Sequence, residues 1–123
     1  RDLSLDYPDF LIASSEWFAF IPAKEYFDEP GDHADELETS VMMHYHPELV
    51  NLDEAGDGNY KKFASQMLNE KVAWIPRNWQ NVSQDTGIGN PKKASAGKGK
   101  KYAEAVVAKY ALLFEELVHK ELY

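Results

Sequence analysis

One histidine and four carboxylates stand close together in residues 31–40, directly ahead of an apolar run. Such side chains can move protons or bind metal, and burying them without partners would be costly. His33 and Glu38 form the pair with the clearest chemical rationale. An imidazole titrates near neutrality and can pass a proton to a leaving amine, while a neighbouring carboxylate can hold its tautomer. Proton transfer is therefore one of two interpretations of these residues.

The same residues also predict the start of a helix. Asp35 suits the N-cap position, and Glu38 then falls at the third helical position, which is the acidic variant of a capping box. Acidic side chains in a first helical turn also complement the positive end of the helix. His33 and Glu38 can meet only if His33 lies in the loop before the helix. Spacing alone leaves both interpretations open, a simple helix cap and a reaction centre.

The other histidines and the glycine-rich segment give weaker signals. His44 and His46 are two residues apart on a predicted helix, so they point to different faces and are interpreted as packing or surface residues. His119 lies near the end of the last helix, where a cation is favoured by the helix dipole. The glycines of residues 87–99 lack the spacing of a phosphate-binding loop and indicate turns instead.

Composition narrows the functional class. The chain has 123 residues, which suits one compact domain or a piece of a larger one. Its 21 acidic against 13 basic residues disfavour nucleic-acid binding, and no apolar run approaches the ~20 residues that span a bilayer. The absence of cysteine excludes thiolate chemistry and fits a cytoplasmic location. Because the chain begins at Arg1 rather than Met, we expect a processed or truncated product.

Two helices are predicted around the candidate site. The first begins at the acidic motif and ends near His46, because Pro47 disfavours helical geometry in the residue before it; residues 47–50 add a short turn. The second is an amphipathic helix over residues 98–122. Its predicted apolar stripe consists of Tyr102, Val106, Tyr110, Leu113, Phe114 and Leu117.

The rest of the chain alternates between predicted strands, helices and loops. Residues 9–15 and 72–75 are short apolar runs that predict strands, and residues 16–21 either extend the first strand or form a second extended piece that ends at Pro22. Helical spacing of apolar residues predicts a helix over residues 60–70. Residues 23–30, with a possible helical turn, and 53–59 are interpreted as loops, and residues 77–91 as irregular. This alternation favours an α/β layered architecture.

Residues 31–40, followed by the sequence Pro-Glu-Leu-Val at positions 47–50, resemble the signature of the creatininase family (creatinine amidohydrolases). Members read His-Ala-Gly-Glu-x-Glu-Thr-Ser, then an apolar helix and Pro-Glu-Leu-Val. Residues 86–91, followed by Ala-Ser-Ala at 94–96 and Lys-Gly at 98–99, are similar to a second block of the family. The resemblance covers nearly the whole chain, and identifies residues 1–123 as the C-terminal part of a single creatininase-like domain.

The resemblance implies a fold, an activity and partners. Family members form an α/β/α layered sandwich, assemble as hexamers and hydrolyse cyclic amides or formamide C–N bonds with metal-activated water. Two divalent ions, zinc or manganese, are implied, with ligands mainly in an N-terminal segment that this chain lacks. The implied partners are a small-molecule amide substrate, a companion N-terminal segment and further copies of the protein, with no nucleic acid and no membrane.

The resemblance also assigns residue roles. His33 would be the proton-transfer histidine and Glu38 its carboxylate neighbour. Asp35, which replaces the family's glycine, and Glu36 are substrate-pocket candidates. Two further residues, Thr39 and Ser40, would fix the helix start; no metal ligand is assigned within the chain. Gly97, where relatives have glutamate, would weaken a helix cap.

A second hypothesis comes from a different class of protein. The chain would be a non-catalytic fragment or half-subunit that folds and assembles only with a partner segment, and would be inactive alone. A half-sandwich should expose apolar faces at residues 11–12 and 72–74. A companion chain that carries the metal ligands favours the enzyme, and a stable isolated monomer favours the fragment.

Overall fold

The computed structural model describes residues 2–119 and 121. Regular structure there consists of helices together with one isolated antiparallel bridge between His33 and Ile88. The α-helices, in chain order, are α1 (Asp2–Asp6), α2 (Glu36–Tyr45), α3 (Gln66–Asn69), α4 (Trp79–Val82) and α5 (Ala96–His119). Three short 3-10 helices cover Ala23–Glu25, Pro47–Leu49 and Pro91–Lys93.

Helix α2 begins and ends where the sequence predicts. The extended backbone of Asp35 makes it the N-cap, and its side chain accepts a hydrogen bond from the Glu38 N–H at 2.9 Å. At the other end the His46 N–H donates to the Met42 carbonyl before Pro47 starts the next 3-10 turn. The predicted helix and the short turn that follows it are confirmed.

Helix α5 packs closely across α2. A side chain at Gly99 would overlap the Ser40 carbonyl oxygen, so the two backbones approach at a distance that only glycine permits. The Ser95 N–H donates to the Ser40 hydroxyl at 3.0 Å, and the Ser95 hydroxyl accepts from the Lys98 N–H at 3.3 Å. The start of α5 is therefore fixed directly against α2.

The core lies between α5 and the segment that precedes α2. Tyr102 is fully buried and its hydroxyl donates to the backbone carbonyls of Phe18 (3.1 Å) and Ile21 (3.2 Å). Burial raises the pKa of Tyr102. The other buried residues of this core are Ile21, Phe27, Leu37 and Val106. This packing holds the N-terminal end of α2, which carries the candidate site.

The predicted strands and the α/β layering are not confirmed. No strand occurs among residues 2–119 and 121, and residues 9–15 and 72–75 are irregular. Their apolar side chains point to solvent, with Trp74 82% exposed and Leu11 58% exposed. A strand requires a neighbour for its backbone hydrogen bonds, and the described residues provide none for these segments.

The helix prediction for residues 60–70 is wrong over most of its length. Only Gln66–Asn69 is helical. The Asn69 side chain bonds both backbone groups of Phe63, and the Lys61 N–H donates to the Val82 carbonyl at 2.7 Å. These bonds, one local set from a side chain and one to a distant carbonyl, occupy backbone groups that a helix would need.

The last helix is confirmed and begins slightly earlier than predicted. It runs from Ala96 to His119, whereas its predicted end at Leu122 lies outside the described residues. Only Tyr102 and Val106 of the predicted stripe are buried; Leu113 and Phe114 are exposed. Among the described residues, no helix is both long and apolar enough to cross a membrane.

Candidate active site

The loop before α2 is held by backbone pairing with the segment around Ile88. The Ile88 carbonyl accepts hydrogen bonds from the N–H groups of Asp32 (2.8 Å) and His33 (3.1 Å), and the Ile88 N–H donates to the His33 carbonyl at 2.8 Å. Gly89 adopts a φ of +123° and lies so close to Gly31 that a side chain on either residue would collide with the other. Two distant glycines are therefore needed to place His33.

His33 and Glu38 are neighbours in the structure, as their spacing predicts for a loop histidine. The His33 Nδ1 lies 3.5 Å from Glu38 Oε2, which is ion-pair reach but longer than a good hydrogen bond. Their side chains are 46% and 36% exposed, so small molecules can reach both. Catalytic contacts are often long before substrate binds. The arrangement allows a carboxylate to orient an imidazole.

Glu38 also serves the helix start, so the capping interpretation holds as well. Its Oε2 accepts the Ala34 N–H at 2.7 Å, one residue further back than in a standard capping box. Ala34 has a φ of +48°, a conformation that costs a non-glycine residue about 1–2 kcal/mol. Thus one carboxylate oxygen is shared between a strained backbone turn and the imidazole.

Two residues that sequence interpretation missed complete the surroundings of His33. The ring of Trp79 lies 5.1 Å from the imidazole, centre to centre. The guanidinium of Arg77 lies 5.5 Å from the centre of the Trp79 ring and makes two parallel contacts with Asp32, at 2.6 and 2.8 Å. The sequence predicts irregular structure for residues 77–91, whereas Trp79 begins α4. No local pattern indicates its contact with His33.

Asp35 and Glu36 are both buried and bonded within the chain. Asp35 accepts the N–H groups of Glu38 and Gly31. Glu36 is fully buried, pairs with the Lys98 ammonium and accepts the Glu29 N–H at 2.6 Å. These contacts show that both carboxylates stabilise the local structure. Their role as substrate-pocket residues stays a prediction.

Thr39 and Ser40 lie where the helix start was predicted. The Thr39 hydroxyl lies 3.4 Å from the Ala34 carbonyl, and the fully buried Ser40 hydroxyl accepts the Ser95 N–H. Ser40 therefore does more than begin α2, because it joins α2 to α5.

The remaining histidines lie away from His33 along the chain. His44 contacts the ring of Tyr45, and His46 is exposed and pairs with Glu48 at 3.1 Å. A backbone hydrogen bond, followed by the contact with His46, lowers the pKa of Glu48. His119 is the last residue of α5. These positions agree with surface or packing roles.

A cavity of about 420 Å³ opens beside Glu38. Its wall includes Glu38, Thr39 and Met42 of α2, while His33 does not line it. The lining also contains Glu54 and Asp85. Its volume is that of a small-molecule pocket.

The sequence model of the creatininase family (creatinine amidohydrolase) matches residues 5–114. The chain belongs to the creatininase family. It is also similar to the crystal structure of a putative creatinine amidohydrolase from Bacteroides fragilis NCTC 9343, with 58% identity and a TM-score of 0.90. That similarity covers 99% of this chain and 49% of the other, so the chain spans about half the length of this relative. No curated protein matches.

The metal ions implied by the creatininase resemblance have no binding site in the described part of the chain. Among residues 2–119 and 121, no three histidine, aspartate or glutamate side chains converge to hold an ion. Asp35 and Glu36 use their carboxylate oxygens in bonds within the chain. The residues described here therefore do not fit a metal site by themselves.

Proposed function

We propose that the protein is part of a metal-dependent amidohydrolase that hydrolyses the C–N bond of a cyclic amide or formamide. Family membership and the 58% identity to a putative creatinine amidohydrolase support the reaction class. The observation that carries the proposal is the contact between His33 and Glu38 beside a cavity of about 420 Å³. The ion, zinc or manganese, would take most of its ligands from residues outside this chain.

In this proposal His33 donates a proton to the departing nitrogen. An amide nitrogen is a poor leaving group until it is protonated, and a positioned imidazole supplies that proton near neutral pH. Glu38 holds the proton on Nδ1, so the doubly protonated ring gives its Nε2 proton to the departing nitrogen and returns to the neutral form that is protonated at Nδ1. Deleting a general acid of this kind lowers kcat by about 10²- to 10⁴-fold.

The experiment compares His33→Ala with His46→Ala in the protein assembled with its companion segment. His46 is a matched control, since it is also an exposed histidine paired with a glutamate. We expect His33→Ala to lose turnover of creatinine and small formamides while bound metal, measured by elemental analysis, stays constant. His46→Ala should behave like wild type. Loss of metal in His33→Ala, or activity within about tenfold of wild type, would contradict the role of His33.

A second candidate function follows from the exposed apolar residues. Trp74 and Val72 are 82% and 71% exposed, and the chain matches 49% of its solved relative. The alternative is a non-catalytic half-subunit that assembles only with a partner segment. In that case the assembled protein would hydrolyse no amide, and His33→Ala would change nothing.

Two further expectations belong to this proposal. The assembled protein is a homo-oligomer, a hexamer by resemblance to the family. Its location is the cytoplasm, which agrees with a sequence that contains no cysteine.

A further inference from the structure

The imidazole of His33 is contacted by an aromatic ring from a distant part of the chain. The ring centres of His33 and Trp79 are 5.1 Å apart, with planes inclined by 45°. Trp79 is the first residue of α4 and is partly buried. A large rigid ring at this distance limits the rotation of a neighbouring ring and has few rotatable bonds of its own.

Arg77 connects both sides of this contact. Its guanidinium lies 5.5 Å from the centre of the Trp79 ring, and it binds both carboxylate oxygens of Asp32, at 2.6 and 2.8 Å. Two-point pairs of this kind fix orientation as well as distance. Because Asp32 directly precedes His33, one arginine holds both the loop that carries the imidazole and the ring that contacts it.

The Nδ1 edge of the imidazole faces Glu38. Nδ1 lies 3.5 Å from Glu38 Oε2, whereas Nε2 has no hydrogen-bond partner in the described part of the chain. We propose that Trp79 is a positioning residue for His33, which keeps Nδ1 turned toward Glu38 and leaves Nε2 free for the substrate. The inference rests on the proposed role of His33 in proton transfer.

The test measures the imidazole itself. Nitrogen-15 NMR of His33 distinguishes the two neutral tautomers, and the hydrogen-exchange protection of the His33 and Ile88 amides reports the backbone pairing. In wild type we expect one tautomer, protonated at Nδ1, to dominate. Trp79→Ala should produce a mixture of both tautomers with unchanged amide protection, whereas Trp79→Phe should retain the wild-type ratio.

Two further variants serve as controls for the NMR measurement. Trp74→Ala removes an exposed tryptophan that does not contact His33, and should leave the tautomer ratio unchanged. Trp79→Leu, which keeps apolar volume, replaces Trp79→Ala if the alanine variant does not fold. A wild-type tautomer ratio in folded Trp79→Ala, or in folded Trp79→Leu when the alanine variant is unfolded, overturns the proposal.

Kinetics separate this inference from the proposed function. In the assembled enzyme Trp79→Ala should lower kcat by about ten- to a hundredfold with little change in KM, because only the orientation of the acid is lost. If His33→Ala is inactive but Trp79→Ala leaves the imidazole unchanged, the positioning role is wrong and the proposed function stands. If Trp79→Ala mixes the tautomers while His33→Ala remains active, the proposed function is wrong and the positioning contact stands.

Discussion

Glu36 is a fully buried carboxylate beside the candidate site, and its partners explain why the fold tolerates it. Its oxygens are taken by the Lys98 ammonium and by the Glu29 N–H at 2.6 Å. A buried charge without such partners would strongly destabilise the folded state. Lys98 also bonds Asp28 at 2.8 Å. A single lysine of α5 therefore pairs with two carboxylates of the acidic region around the start of α2, Asp28 and Glu36.

Replacing Lys98 should destabilise the protein in a pH-dependent way. The hydrogen bond from Lys98 lowers the pKa of Asp28 below its usual 3.8, and the bonds to Asp28 and Glu36 raise the pKa of Lys98 above 10.5. The contribution of Asp28 to stability is present above its pKa in the unfolded chain and is lost as the pH falls through its lower pKa in the folded protein. The contribution of Lys98 is present below 10.5 and is lost as the pH rises through its higher pKa in the folded protein. Lys98→Met should therefore have a lower urea midpoint than wild type at pH 7, with a smaller difference as Asp28 protonates.

Lys100→Met is the matched control for this measurement. Lys100 lies on the same helix, but its contact with Glu104 is a 3.8 Å surface pair in which both side chains are exposed. Such pairs contribute little to stability. Equal urea midpoints for the two variants at pH 7 would mean that Lys98 does not neutralise Glu36.

At the scale of residues, what could be predicted depends on distance along the chain. The Asp35 cap and the approach of His33 to Glu38 involve residues three and five apart, so local spacing was sufficient. The contact of Trp79 with His33 joins residues that are far apart in the sequence, so it depends on the tertiary fold. No local pattern encodes which distant ring an exposed histidine will meet.

At the scale of elements, the close crossing of α2 and α5 depends on one glycine. A methyl group at Gly99 would overlap the Ser40 carbonyl, and the neighbouring Ser95–Ser40 hydrogen bond leaves little freedom to move apart. Gly99→Ala should therefore lower the free energy of unfolding by about 1–3 kcal/mol, despite alanine's better helix propensity. Urea unfolding followed by tryptophan fluorescence measures this difference.

Gly97 lies on the same helix but, unlike Gly99, has open space around it. A methyl group there would contact nothing within 4 Å. Gly97→Ala should stabilise by up to about 1 kcal/mol through helix propensity alone. If both alanine variants were stabilised, the close approach at Gly99 would be wrong.

The elements also show why strands were harder to predict than helices. An α-helix satisfies its own backbone, so the N-cap and the following proline were enough to place α2, and the apolar periodicity was enough to place α5. Residues 9–15 and 72–75 have the apolar composition of strands, but a strand exists only beside another strand. The described chain provides no neighbour, and the α/β/α sandwich stays a proposal for the assembled protein.

At the scale of the whole molecule, the chain exposes more large apolar side chains than its core contains. Leu11, Ile12 and Trp74 are 58%, 41% and 82% exposed. They lie in residues 11–12 and 72–74, where the sequence predicts exposed apolar faces. Extended apolar exposure of this kind is typical of an interaction surface. The Bacteroides fragilis relative has about half its length outside the similarity. We therefore expect the companion segment to cover these residues.

Association with that companion segment gives the last prediction. Native mass spectrometry of this chain, mixed with the half of the Bacteroides fragilis protein that it does not match, should show a complex. Trp74→Ser should weaken the complex by at least about tenfold, since buried tryptophans often dominate interfaces. Val118→Ser is the control, because Val118 is 75% exposed but lies beyond the family match at residues 5–114. If the chain remains a 14.0 kDa monomer and does not bind the added half, a companion segment at this surface is excluded. His33 would then lack the metal site that its proposed reaction requires.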